Sequence, residues 1–188
     1  MPFKIALFAS GSGSNAENII RYFEKNENFV FPVIVSNKAD AYVHKRAENL
    51  QIPSYTFSKE DFFVGGKVLD LLKKNEINAI VLAGFLLKVP QSLIDAYPEK
   101  IINIHPALLP KYGGKGMYGD KVHQAVKAAG EKESGITIHY VNENYDEGNI
   151  IFQAKCLVEP HDTPEMIAEK VHHLEYEHFP KVIEELWR

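Results

Sequence analysis

The chain predicts an α/β fold: a mostly parallel central sheet flanked by helices and extended by an antiparallel C-terminal hairpin. Three observations point there. The apolar runs at 3–9 and 79–84 read as strands buried on both faces, as interior strands of a parallel sheet are. Helix-spaced segments follow the strands, so the two alternate along most of the chain. Residues 135–141 and part of 150–158 then alternate apolar with polar and are joined by a turn, which is a hairpin signature. Together these make the predicted fold Rossmann-like.

Composition narrows the function before any motif does. The 188 residues suit a single domain over 1–188 with a sizeable core. The net charge of −4 argues against a surface for nucleic acid or an anionic membrane, so an anionic ligand must be held by local groups. Cys156 stands alone, which excludes an internal disulfide framework and a four-cysteine zinc site. No basic leader or membrane-length apolar run is visible, and the expected location is cytoplasmic.

In chain order, the strand at 3–9 runs straight into Ser10, Gly11, Ser12, Gly13, Ser14 and Asn15. A helix at 16–25 follows, with Ile19, Ile20 and Phe23 on one side. Strand, small-residue loop and helix together point free backbone N–H groups at an anion, aided by the helix dipole. Ser12, Ser14 and Asn15 add side-chain donors. The dinucleotide fingerprint lacks its third glycine, so the loop reads as a phosphate monoester site. A tight turn with a good helix cap is the plainer alternative. The run 31–36 gives a second strand, 41–50 a helix, and 52–57 a short strand kept at an edge by Pro53. Gly65 and Gly66 precede a helix at 67–75 that buries Val68, Leu71 and Leu72. After the strand ending at Gly84, residues 85–89 read as core or as the wall of an apolar ligand site.

The strand at 100–105 is the most informative stretch. Its side chains alternate, so Asn103 and His105 share one face while Ile102 and Ile104 share the other. An amide and an imidazole at the C-terminal end of a strand sit where open α/β sheets hold ligands. Two polar groups merely satisfied at a strand end are the alternative. Loop 111–119 carries four glycines in seven residues and reads as a lid or a long surface loop. A helix at 120–129 leads into the hairpin, whose turn at 142–149 holds Asp146 and Glu147, the densest acidity near any candidate site. Asp162, Thr163, Pro164 and Glu165 start a last helix, with Ile167, Val171 and Leu174 inward. Pro180 should end or kink it, leaving 182–187 as a short closing segment. His172, His173 and His178 around Glu175 suggest a metal, but their spacing fits no metal motif and none is expected. Neither a nucleophile elbow nor a usable cysteine appears, so no residue sponsors a covalent mechanism.

In this order, segments 10–15, 36–40, 81–85, 103–112 and 135–139, with Asp146 and 153–155, resemble the folate-dependent formyltransferase family, in particular its phosphoribosylglycinamide-directed branch. The likeness spans almost the whole chain, and Asn103-Ile104-His105-Pro106 is its most specific part. It implies that 10-formyltetrahydrofolate, as co-substrate, gives its formyl group to the glycinamide amine of 5'-phosphoribosylglycinamide in purine biosynthesis. The amine would attack directly and form a tetrahedral oxyanion. By position, Asn103 would donate to that oxyanion, protonated His105 would stabilise it, and Asp146 would favour the imidazolium and help move the amine proton. Gly13, Ser14 and Asn15 would hold the phosphate, and Glu175 the ribose hydroxyls. Phe85, Leu86, Leu87, Lys88, Val89, Asn103, Val141, Asn142 and Tyr145 would take the folate. His139 would support the centre, and the peptide between Leu109 and Pro110 would be cis.

The partners implied are these two small molecules, with neither nucleic acid nor membrane, on a monomer or homodimer. Branches of the family with an added domain need more length than this chain has. Leu86-Leu87-Lys88 and Asp146-Glu147-Gly148-Asn149 depart from familiar relatives, as does the glycine-rich loop, while Asn103, His105 and Asp146 do not. Two other readings compete. A folate hydrolase would have no use for the phosphate loop, and a phosphate-binding or redox module would have none for Asn103, His105 and Asp146.

Overall fold

The computed structural model describes residues 1–64 and 66–188, so Gly65, before the predicted helix, lies outside the described residues. Seven strands form one sheet: β1 (Phe3–Phe8), β2 (Phe29–Ser36), β3 (Ser54–Thr56), β4 (Ala79–Leu82), β5 (Ile101–His105), β6 (Glu133–Tyr140) and β7 (Ile150–Leu157). Their spatial order is β3-β2-β1-β4-β5-β6-β7. β3 to β5 are mutually parallel, and β6 and β7 are added antiparallel, as the sequence predicted. From β1 the chain builds outward through β2 to β3, then returns to build through β4 to β5. The order therefore reverses between β1 and β4, and a crevice opens beyond their C-terminal ends, where such sheets bind ligands.

The helices are α1 (Ser14–Tyr22), α2 (Val43–Asn49), α3 (Lys59–Phe63), α4 (Lys67–Lys74), α5 (Gln91–Ala96), α6 (Asp120–Ala128) and α7 (Pro164–Trp187). Alternation within the strands splits the core in two. Ile5, Leu7, Val81, Ile102 and Ile104 pack with residues of α1, α6 and α7. Ala6, Phe8, Ile80, Leu82 and Ile101 pack with Phe62, Leu72 and Leu93 of α3, α4 and α5. By parity Asn103 and His105 share the face of Ile101, and their place at the end of β5 puts them at the sheet's C-terminal edge.

Differences from expectation have local causes. The five-residue α3 and six-residue α5 are too short to show periodicity, although Ser58 and Asp61 make a capping box that announces α3. Pro180 neither ends α7 nor separates a closing segment: the helix runs as one element from Pro164 to Trp187. Phe179, Val182, Ile183 and Trp187 are all buried around the proline. Burying four such side chains is worth about 2 kcal/mol each, against about 3 kcal/mol for a helical proline. Among the described residues, no helix is long and apolar enough to cross a membrane.

Candidate active site

The loop after β1 is braced from behind. Val43 N–H donates to the Gly11 carbonyl at 3.1 Å, and Arg46 Nε donates to the Ser12 carbonyl at 2.7 Å. Gly13 has φ 72°, and a Cβ there would lie 2.3 Å from Val43 Cγ2, so both conformation and packing demand glycine. The first-turn N–H groups of α1, which starts at Ser14, lack intrahelical acceptors, and residues 11–15 line the cleft.

On β5, Asn103 Nδ2 donates to His139 Nε2 at 3.1 Å. His139 Nδ1 lies 2.8 Å from the Tyr140 carbonyl, which can only accept, so Nδ1 carries the proton and Nε2 is free to accept. His105 Nε2 likewise donates to the Tyr112 carbonyl at 2.6 Å, which turns Nδ1 toward Asp146 Oδ2 at 3.5 Å. Asp146 Oδ1 is 3.5 Å from His139 Nε2, and Gly114 N–H donates to Oδ2 at 2.9 Å. The hairpin turn that delivers Asp146 is tight: its φ is 55°, and a Cβ on Gly148 would lie 1.6 Å from the Tyr140 carbonyl oxygen.

The electrostatics differ in part from the sequence expectation. Burial pushes the His105 imidazole below its ordinary value, and the Asp146 carboxylate and Tyr112 carbonyl recover only part of that. Burial therefore disfavours the standing imidazolium that the resemblance implies. Burial also raises Asp146, but its contacts with His139, His105 and the Gly114 N–H outweigh it and hold the carboxyl below the usual range.

Glu175, buried on α7, accepts from Asn15 Nδ2 at 2.9 Å and from His172 Nδ1 at 3.0 Å. That hydrogen bond raises the His172 imidazole above its ordinary value. The histidines of α7 diverge: His172 bonds Glu175, while His178 packs 5.0 Å from the Phe152 ring.

One cleft of about 540 Å³ gathers the site. Residues 85–89, Val141, Asn142 and Tyr145 line it with the phosphate loop, Asn103, His105, His139, Asp146 and Glu175, so every predicted site residue is brought together. The glycine-rich loop also borders the cleft from Gly114 to Gly119. The Leu109–Pro110 peptide is cis. Thr137 Oγ1 pins that turn, donating to the Ala107 carbonyl at 2.7 Å and accepting from Leu109 N–H at 3.0 Å. His123 was not anticipated. It lines the cleft, buried, with Nδ1 unpartnered. Its signal was a polar residue beside Val122 and Val126 on the inward face of α6.

Comparisons with known proteins bear on the family and the fold. The profile of the family described as formyl transferase matches residues 3–183. The chain is 40% identical to the phosphoribosylglycinamide formyltransferase of Bacillus subtilis over 188 residues, covering 97% of this chain and 94% of that protein. It is also 40% identical to the chloroplastic phosphoribosylglycinamide formyltransferase of Arabidopsis thaliana, covering 96% of this chain but spanning only 64% of that protein's length. Among solved structures, glycinamide ribonucleotide transformylase 1 from Geobacillus kaustophilus superposes with a TM-score of 0.90 at 32% identity, over 100% of both chains.

Proposed function

The chain belongs to the formyl transferase family, and on that premise we propose that residues 1–188 form one domain that moves the formyl group of 10-formyltetrahydrofolate to the glycinamide amine of 5'-phosphoribosylglycinamide. The observation that supports this most is the meeting of Asn103, His105 and Asp146 in the cleft that also holds the anion loop 11–15. In this reading Gly13, Ser14 and Asn15 receive the phosphate, and Glu175 accepts from the ribose hydroxyls. Residues 85–89 with Val141, Asn142 and Tyr145 hold the folate beside Asn103.

The amine lone pair forms the new C–N bond, and the π pair of the formyl C=O moves to oxygen. Asn103 spends one amide hydrogen on His139 and has the other for the oxyanion. His139 thereby fixes the angle of the amide. The growing negative charge also favours the His105 imidazolium that burial resists. Asp146, ionised at neutral pH, relays the amine proton through water toward N10 of tetrahydrofolate as the old C–N bond breaks. None of these steps calls for a metal. The enzyme would act on two small molecules in the cytoplasm, without nucleic acid or membrane, as a monomer or homodimer.

Calorimetric titration of the ribonucleotide onto the wild type and Gly13→Ala tests the substrate assignment. Saturable binding should weaken about tenfold or more in the variant, the worth of one charge-assisted hydrogen bond. An unliganded wild type at millimolar nucleotide would remove the phosphate site from the reading.

A further inference from the structure

We infer that Glu131, which lies outside the cleft, is a positioning residue for His105 and Asp146, acting through the backbone at Tyr112. The inference rests on the formyl-transfer reading and extends it to a residue that touches no substrate.

The Tyr112 carbonyl decides which nitrogen of His105 carries the proton, because a carbonyl can only accept and lies 2.6 Å from Nε2. That carbonyl is aimed by a tyrosine at φ 57°, a left-handed conformation that a side chain disfavours and that its surroundings must enforce. The side chain supplies the enforcement. Tyr112 Oη donates to Glu131 Oε1 at 2.9 Å, and Lys111 Nζ donates to the same oxygen at 3.0 Å. Glu131 is itself set by its N–H, which donates to the Val126 carbonyl at the end of α6 at 3.3 Å. One carboxylate thus pins two consecutive residues from outside.

The inner side of the same segment meets the catalytic groups. Two residues on, Gly114 N–H donates to Asp146 Oδ2 at 2.9 Å. Between them, a Cβ on Gly113 would lie 2.5 Å from Leu109 Cδ2 and 3.3 Å from Asp146 Cβ, so the backbone there has no slack toward Asp146. A shift of 111–114 is therefore passed to His105 by one carbonyl and to Asp146 by one N–H. Tyr112 and Glu131 border a separate cavity of about 310 Å³ and are absent from the lining of the cleft. Their influence must run through the backbone.

The test compares Tyr112→Phe, Glu131→Ala, the double variant and Glu131→Gln with the wild type. Turnover should fall about tenfold in each of the first two, the scale of a small misplacement of catalytic groups, with KM unchanged for both substrates. The double variant should lose no more than either single one, because they cut the same link. Glu131→Gln keeps an acceptor for the tyrosine hydroxyl and should recover most of the turnover. Glu133→Gln, at the same cavity and bonded to Lys155, should leave turnover unchanged. Nitrogen-15 NMR of His105 should show the Nε2–H tautomer in the wild type and a mixture in Tyr112→Phe. Unchanged turnover and tautomer in Tyr112→Phe and Glu131→Ala would overturn the inference, as would losses that multiply in the double variant. A wild type without formyl transfer would count against the functional reading alone, since the tautomer comparison still decides the positioning.

Discussion

Asn15 Nδ2 donates to Glu175 Oε2 at 2.9 Å, joining the anion loop to α7 across 160 positions of sequence. The bond places a buried carboxylate one residue's reach from the loop that would hold a phosphate. Phosphate and ribose are neighbours in the proposed substrate in the same way. Asn15 Oδ1 is left buried and unpartnered beside it, an acceptor with capacity for a hydroxyl.

Glu175→Gln should therefore raise KM for the ribonucleotide about tenfold while leaving KM for the folate alone, since a hydrogen bond to a charged acceptor is worth about 1.5–3 kcal/mol. Steady-state kinetics with each substrate varied in turn separates the two. Equal rises for both would mean that Glu175 shapes the cleft rather than holds the ribose.

Asn103→Ala should lower turnover about a hundredfold or more, the scale for removing one oxyanion donor. The melting temperature should change little, because Asn103 is only partly buried and its side chain bonds a neighbouring side chain, His139. A turnover close to the wild type in a folded variant would take Asn103 out of the chemistry.

Gly148→Ala tests how Asp146 is delivered. The added methyl cannot share space with the Tyr140 carbonyl, 1.6 Å away, so the turn must lift off β6 and carry Asp146 from His105. Turnover should drop about a hundredfold for a displacement near 1 Å, with the far-ultraviolet circular dichroism unchanged. Full activity would show that the turn closes equally well without its glycine.

Acid should destabilise the fold through two histidines. Burial pushes His105 and His123 below their ordinary value, so the unfolded chain binds protons at a pH where the native state does not. By linkage their contribution to stability is complete above about pH 6.5 and is lost as the pH falls from there through the folded values. His172 acts oppositely: raised by Glu175, it stabilises below about pH 6.5 and ceases to as the pH rises through its folded value. Calorimetric melts should show the wild-type melting temperature dropping as the pH falls below about 6.5, with a shallower drop in His123→Gln. An identical slope in that variant would mean that His123 is not held neutral by the fold.

Much of this molecule could be read from sequence because its signals are periodic. β4 is apolar throughout, β1 is apolar but for Lys4, and the hairpin sequence alternates. Asn103 and His105 stand out because two polar residues occupy one face of a strand whose other positions are isoleucine. Local rules failed where tertiary burial outweighed them, as at Pro180, and where elements were too short to repeat a pattern, as in α3 and α5. Asp146 stood out by the acidity of its turn, but its role entered through family resemblance, since an acid in a turn has no direction until the hairpin folds. The Tyr112 carbonyl and Gly114 N–H could not have been foreseen, because every residue carries those groups and only the fold aims them.

The most direct test is turnover of 10-formyltetrahydrofolate by the purified protein with and without 5'-phosphoribosylglycinamide. Tetrahydrofolate should appear only when the ribonucleotide is present, together with an equal amount of its N-formyl product. Release at the same rate without the nucleotide, with free formate as the second product, would contradict the transferase and leave a hydrolase whose anion loop has no role.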